Sequence, residues 1–327
     1  MLKSARLLLL TLGVLSIGSL LLALLVGSSA AGPDTVLSWW SGTTDSEALE
    51  VLLRLRLPRA LAAFGTGAAL AVAGALMQVL LRNPLADPYV LGTSSGAAVT
   101  ALGAMLLGAS GLTVDAAAFA GALGSTLLVF GLARGTGAWN GNRLLLTGIV
   151  VAAGWSAVVS LMLAISPDTK LRGIIFWLMG DFAFVEQPGS ILIVAAIGVA
   201  GGLLLARTLD VLGTGDSQAA LLGLEVKRTR SIVYALSSLL TAVAVTTAGV
   251  VGFVGLIVPH FIRLAGGTSH RSVIPASALA GGTLLVVADT LARTVLAPQQ
   301  LPVGAITAAV GVPAFLFLLR RDTRDRR

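Results

Sequence analysis

Ten apolar runs, each closed by a short polar turn, leave this chain little choice of fold: 6–29, 57–81, 90–108, 113–133, 143–166, 189–207, 230–250, 252–265, 273–296 and 304–320. About 20 apolar residues in a helix, at 1.5 Å each, cross the hydrocarbon core of a bilayer. Only 11% of the 327 residues are charged, where a soluble domain would carry about 25%. The expected class is all-α: a polytopic membrane protein of about ten transmembrane helices in one domain, 1–327. The eighth run is too short to cross alone. Gly249, Gly252, Gly255 and Pro259 interrupt it, so a broken or tilted helix is expected there.

The net charge of +7 raises the possibility of nucleic-acid binding, but its distribution argues for membrane topology instead. With the N-terminus inside, 16 of the 22 Lys and Arg fall on the cytoplasmic side and six on the outer side. The 15 acidic residues divide six inside and nine outside. This asymmetry obeys the positive-inside rule and places both termini in the cytoplasm. Residues 1–31 also admit a signal peptide ending at Ser28-Ser-Ala-Ala31, but the apolar stretch is longer than such segments usually carry, which favours a retained span.

Two connections exceed what a turn needs. Residues 31–56 are expected outside, with Trp39 and Trp40 marking an interfacial helix. Residues 207–230 are expected inside. They are amphipathic and punctuated by glycine, and suit either a helix lying in the lipid interface or a docking surface for a cytoplasmic protein. Leu212, Ala219, Leu222 and Leu224 would form its apolar face. A weak repeat relates Gly74, Pro84 and Gly92 to Gly249, Pro259 and Gly267, at an offset of 175 residues. The helices before Gly74 and Gly249 run in opposite directions. This suggests an inverted five-plus-five repeat with halves about 1–166 and 190–320.

The polar residues concentrate at the ends of the spans. Arg56 and Arg59 flank Pro58 at the outer end of the second run. Arginine there can snorkel to lipid phosphate or present a bidentate guanidinium to carboxylates of an external protein. Arg293 repeats the pattern near the end of the ninth run, one turn after Asp289, at the spacing of an i, i+4 pair. Asn83-Pro84 and Asp87-Pro88 fix a compact inner turn, with Asp87 placed to cap the following helix. Gly92, Ser94, Ser95 and Gly96 follow, able either to pack helices or to line a path. Pro259, His260 and Arg263 form the matching inner element, with His260 read as structural. Gly198 and Gly202 make a GxxxG pair.

Several chemistries are missing from the sequence. There is no cysteine and no His-Glu-x-x-His, so no metal site is expected. No Gly-x-x-x-x-Gly-Lys-[Ser/Thr] exists, so the chain lacks a P-loop for ATP. Few acids fall mid-span, so a self-contained proton- or sodium-coupled carrier would lack its relay. Energy is therefore expected from another subunit.

Arg56-Leu-Pro-Arg59, Gly74-Ala-Leu-Met-Gln78, Arg82-Asn-Pro-Leu-Ala-Asp-Pro88, Leu91-Gly-Thr-Ser-Ser-Gly-Ala97, Gly252-Phe-Val-Gly-Leu-Ile-Val-Pro-His260, Leu301-Pro-Val-Gly304 and Gly311-Val-Pro-Ala-Phe315 occur in this order. Together they resemble the FecCD-type permeases, membrane subunits of ABC importers for iron–siderophores, haem and vitamin B12. The resemblance implies a homodimer with the path at its interface. It also implies two ATP-binding cassette subunits below, holding ATP and Mg, and a periplasmic or lipid-anchored binding protein above. The expected surroundings are membrane lipid with no nucleic acid, in the bacterial or archaeal cytoplasmic membrane. By position, Arg56, Arg59 and Arg293 match docking arginines for the binding protein. Within 207–230, Asp216, Ala219, Leu222, Gly223, Leu224 and Glu225 match the ATPase-coupling segment. Run 143–166 matches the helix that gates the path, and Phe176–Asp181 an outer loop region. An iron chelate or haem is the expected cargo, cobalamin the alternative, and a secondary transporter the alternative of a different class.

Overall fold

The computed structural model describes residues 2–27, 49–133, 141–183, 185 and 187–325; the expected interfacial helix at Trp39–Trp40 and the Ser28–Ala31 segment lie outside them. Among the described residues the fold is helical, without strands. The helices are α1 (Leu2–Leu25), α2 (Leu57–Leu80), α3 (Thr93–Leu106), α4 (Leu112–Ala133), α5 (Gly141–Ala164), α6 (Asp168–Met179) and α7 (Gly189–Leu204). Then come α8 (Ala206–Gly213), α9 (Asp216–Leu221), α10 (Val226–Ala248), α11 (Val254–Leu264), α12 (His270–Thr294) and α13 (Val303–Asp325). A wide turn of i→i+5 type, Val51–Arg56, leads into α2.

Every apolar run is occupied by a helix. Among the described residues, six stretches are long and apolar enough to cross a membrane: Ala5–Leu25, Val51–Leu80, Leu112–Ala133, Gly141–Ala164, Val226–Ala248 and His270–Thr294. Helices α7 and α8 form a further pair bent by 63°. The remaining apolar helices, α3, α11 and the Val303–Phe317 part of α13, are shorter. The expected break in the eighth run is real: α11 has only 11 residues, with Pro259 inside it.

Helix α2 is the axle. Nearly all of it is buried, and it packs against α7, α10, α11 and α12. Lipid tails are as apolar as leucine, so helices in a membrane associate through close packing rather than by escaping water. The sequence of α2 supplies the means, because alanine and glycine occupy most of its positions between Ala60 and Ala75. At Gly67 an added Cβ would lie 2.1 Å from the Gly281 carbonyl oxygen, and at Gly74, 1.9 Å from that of Gly255. At these two points the backbone of the axle meets those of α12 and α11. The GxxxG pair Gly198–Gly202 works differently, receiving the side chains of Leu240 and Ile274.

The repeat spacing does not carry over as matching conformations. Gly74 lies mid-helix, whereas Gly249 ends α10 with φ 67°; Gly92 is left-handed at φ 71°, whereas at the Gly267 end it is Gly266 that turns, at φ 106°. The two halves nevertheless meet through these motifs. Gly74 rests on Gly255, which in turn leaves room for Pro88. Phe253, left-handed at φ 70°, sets its ring and Cβ over Gly311. A bulky residue in that region costs backbone energy.

Candidate functional site

The polar residues singled out in the sequence gather at the two ends of α2, which at 24 residues is about 36 Å long.

At one end, Pro58 starts α2 and places Arg56 and Arg59 one turn apart. Asp289 comes from the last turns of α12. The Arg59 guanidinium donates to both Asp289 oxygens, from Nε at 3.0 and 3.1 Å and from Nη2 at 2.9 Å. Its Nη1 donates to Gln300 Oε1 at 2.8 Å, and its Nη2 lies 3.7 Å from Asp181 Oδ1. Arg293 donates from Nε to Asp289 Oδ2 at 3.1 Å, so the expected i, i+4 pair forms, and from Nη2 to the Ala23 carbonyl at 3.2 Å. Arg56 donates to the Leu24 carbonyl at 2.7 Å. Both carbonyls are among the last four of α1, where cations offset unpaired acceptors and the helix dipole. The three arginines are thus together at one end, as expected, but they are turned inward: Arg56, Arg59 and Arg293 are 4%, 8% and 6% exposed, and Asp289 1%. Among the described residues, three guanidinium groups at this end meet two carboxylates, those of Asp181 and Asp289, an excess of positive charge within that set.

The segment after α6 completes this end. Phe176–Met179 is the last turn of a helix rather than the expected loop. Gly180, at φ 82°, then turns the chain so that Asp181 N–H donates to the Ala248 carbonyl and Val303 N–H to the Gly180 carbonyl. This fastens α10 and α13 to the arginine cluster. Lys170, not singled out in the sequence, donates to the carbonyls of Met105 and Leu106 at 3.0 Å and caps the end of α3.

At the other end of α2 the chain turns back through Asn83-Pro84. Asn83 Oδ1 accepts from Leu85 N–H at 2.9 Å and Asp87 Oδ1 from Tyr89 N–H at 2.8 Å. Asp87 therefore caps the short turn Pro88–Leu91 rather than α3 itself. Gly92 gives its carbonyl to Ser125 Oγ at 2.9 Å, and the same hydroxyl accepts from Trp155 Nε1. That bond ties the turn to α4 and α5. Ser94 and Ser95 sit half-buried in the first turn of α3, and Gly96 packs on Ser125. From α11, Arg263 donates to Gln78 Oε1, and Gln78 donates back to the Leu256 carbonyl at 3.0 Å. Pro259 and His260 are buried in the same helix.

Burial raises the Asp87 carboxyl to about 6, partly opposed by the Tyr89 hydrogen bond. The unfolded chain therefore releases this proton before the fold does. Stability should fall as pH rises from about 4 to 6 and stay level above. Asp87→Asn keeps the cap without the charge. It is expected to remove that slope and to be at least as stable as the parent at pH 7.5, measured as thermal melting across pH.

Segment 207–230 lies at this same end as α8 and α9, joined through Leu205 to α7. The sequence places Leu212 and Ala219 on its partner-facing side, but both are core residues, 1% and 0% exposed. They anchor the element to the bundle. Leu222 is exposed as expected, and Leu221 joins it as the apolar tip, followed by Gly223, left-handed at φ 83°, and exposed Glu225; Leu224 is half-buried. A shallow groove beside the tip is lined by Arg207, Thr208, Val211, Leu222, Gly223 and Leu224. Asp216 points inward to Arg230.

Spanning helices around a small-residue axle, ion clusters at its two ends and a short amphipathic helix pair at one of them define a polytopic membrane protein. The pattern of the FecCD transport family matches residues 14–321, and the chain belongs to that family. It is 40% identical to the hemin transport system permease protein HmuU of Yersinia pestis, over 97% of each chain. It is 38% identical to the vitamin B12 import system permease protein BtuC of Escherichia coli, over 97% of this chain and 95% of that one. Its fold superposes on an inward-facing structure of a transporter assigned to the metal-chelate ABC type, with a TM-score of 0.83 and 30% identity over 97% of this chain and 99% of the other. The chain is accordingly the permease subunit of an ABC importer, a transport subunit and not an enzyme.

Proposed function

We propose that two copies of this chain form the membrane path of an importer for a metal chelate of the haem or iron–siderophore class, with cobalamin as the second reading. The observation that carries the proposal is the full-length relation to a haem permease, at 97% coverage of both chains. The relation to a cobalamin permease at nearly the same identity favours the second.

In this reading the chain crosses the bacterial or archaeal cytoplasmic membrane ten times, with both termini inside. Two ATP-binding cassette subunits hold ATP and Mg and receive the Leu221–Leu222 tip. A periplasmic or lipid-anchored binding protein docks at the arginine end, where the excess positive charge of Arg56, Arg59 and Arg293 would draw its carboxylates. Helix α5 supports the dimer: it packs on α3, α4 and the Pro88–Leu91 turn, while Leu146, Ile149, Val150 and Leu161 are exposed. ATP binding would draw the ATPases together and rock the spans between openings, with no covalent step on this chain.

Reconstitution in liposomes tests the reading. Uptake of haem is expected only with ATP, the ATPase and the binding protein all present, and to exceed uptake of cobalamin. Preference for cobalamin would select the second reading, and uptake without the ATPase would overturn both. Docking is checked separately by light scattering or surface capture. Arg56→Gln should weaken binding-protein affinity about tenfold, and added salt should weaken it further in the parent.

A further inference from the structure

Two aspartates hold the α8–α9 element to the membrane helices. Asp210, in α8, accepts from the backbone N–H of His270 at 3.0 Å and hydrogen bonds the His270 ring at Nδ1. His270 is the first residue of α12, so one carboxylate grips both the open amide and the side chain at that helix start. Asp216 opens α9. Its Oδ1 accepts from Arg230 Nη2 at 2.6 Å, and its Oδ2 lies 3.7 Å from Arg82 Nη2. Arg230 is in the first turns of α10 and 2% exposed, while Arg82 follows the end of α2.

Each grip has a different mechanical quality. Apolar anchors Ala206, Leu209 and Leu212 fix the position of α8 against α2 and α12 but are non-directional. A carboxylate bonded to an N–H and to a buried guanidinium is directional and resists rotation. The exposed Leu221–Leu222 tip is at the end of the helix whose start carries Asp216. A push on the tip thus reaches α10 and the end of α2 through Asp216, and the start of α12 through Asp210. These are the axle itself and two of the helices packed on it, and α12 carries the arginine partner Asp289 at its far end.

We infer that Asp210 and Asp216 are positioning residues that transmit movement of the α8–α9 element to α12, α10 and α2, coupling ATP hydrolysis to transport. The inference rests on the proposed docking of this element to the ATPase. Its test uses the complete importer in nanodiscs or liposomes, reading three quantities: ATPase co-purification, basal ATP hydrolysis and substrate moved per ATP.

Asp210→Ala is expected to retain the ATPase and its basal activity while transport per ATP falls roughly five- to thirtyfold, and Asp216→Ala to show the same fall in transport per ATP hydrolysed. Asp210→Asn, which preserves an acceptor for the His270 N–H, should recover most of the ratio, as a charge-independent positioning role requires. If an alanine variant does not assemble, serine at the same position, polar but too short to reach the same partner, replaces it in the same assay with the same expected fall. An unchanged transport-to-hydrolysis ratio in variants that assemble overturns the inference. Leu221→Glu with Leu222→Glu tests the underlying reading: loss of ATPase co-purification upholds docking at the tip, and full retention overturns docking and coupling together.

Discussion

Replacing Asp289 with alanine is expected to destabilise the protein by about 3–5 kcal/mol, the usual cost of stranding a buried charge. Asp289 accepts from Arg59 through both oxygens and from Arg293 through one. Removing it leaves two guanidinium groups inward-facing with no shared counter-charge, at the point where α1, α2 and α12 meet. Asp181, 3.7 Å from Arg59, is too far to replace the bidentate contact. Asp289→Asn should lie between, since an amide offers one acceptor oxygen but no charge. Thermal melting of the detergent-solubilised permease, alone and with its ATPase, provides the measurement. A melting temperature unchanged in Asp289→Ala would mean that the arginines find water or lipid phosphate instead, which is the snorkelling reading of Arg56 and Arg59.

The second large effect is steric. Gly74→Ala is expected to cost about 3 kcal/mol or more, because the added methyl would lie 1.9 Å from a backbone oxygen of Gly255. Neither helix can yield by rotating a side chain, since the obstruction is backbone. Helices α2 and α11 must separate, and Gly255 is itself closed in by Pro88. Gly67→Ala should behave alike against Gly281. Gly154→Ala is the control: it is also helical, in α5, but meets nothing within 4 Å. That substitution should be neutral or stabilising by up to about 1 kcal/mol, from helix propensity alone. Yield and monodispersity in size-exclusion chromatography, with melting temperature, distinguish the three.

The contrast between these glycines shows where sequence reasoning stops. All are glycines within apolar runs, and nothing local marks Gly74 as a contact and Gly154 as open. The pair that spacing did mark, Gly198 and Gly202, receives side chains of Leu240 and Ile274 rather than a backbone. Segment 207–230 shows the same limit. Its amphipathic pattern was legible, but two of the four apolar residues assigned to its surface, Leu212 and Ala219, are core. The exposed tip includes Leu221, which the pattern did not select. Periodicity identifies an apolar face. Which neighbour covers that face depends on the angle at Leu205, where α7 and α8 bend by 63°.

The sequence by itself determined the class, the ten helical runs and the confinement of polar groups to the ends of the spans. Each follows from the local cost of placing a charge or an open backbone group in hydrocarbon. It also brought Arg56, Arg59 and Arg293 to one end, since chain direction alternates with every crossing. The tertiary structure decided how those groups are spent. Arg59 meets Asp289 across 230 residues of sequence and Asp210 meets His270 across 60. Such pairs depend on which helices become neighbours, a choice made by the fit of small residues along α2 and invisible to any single segment.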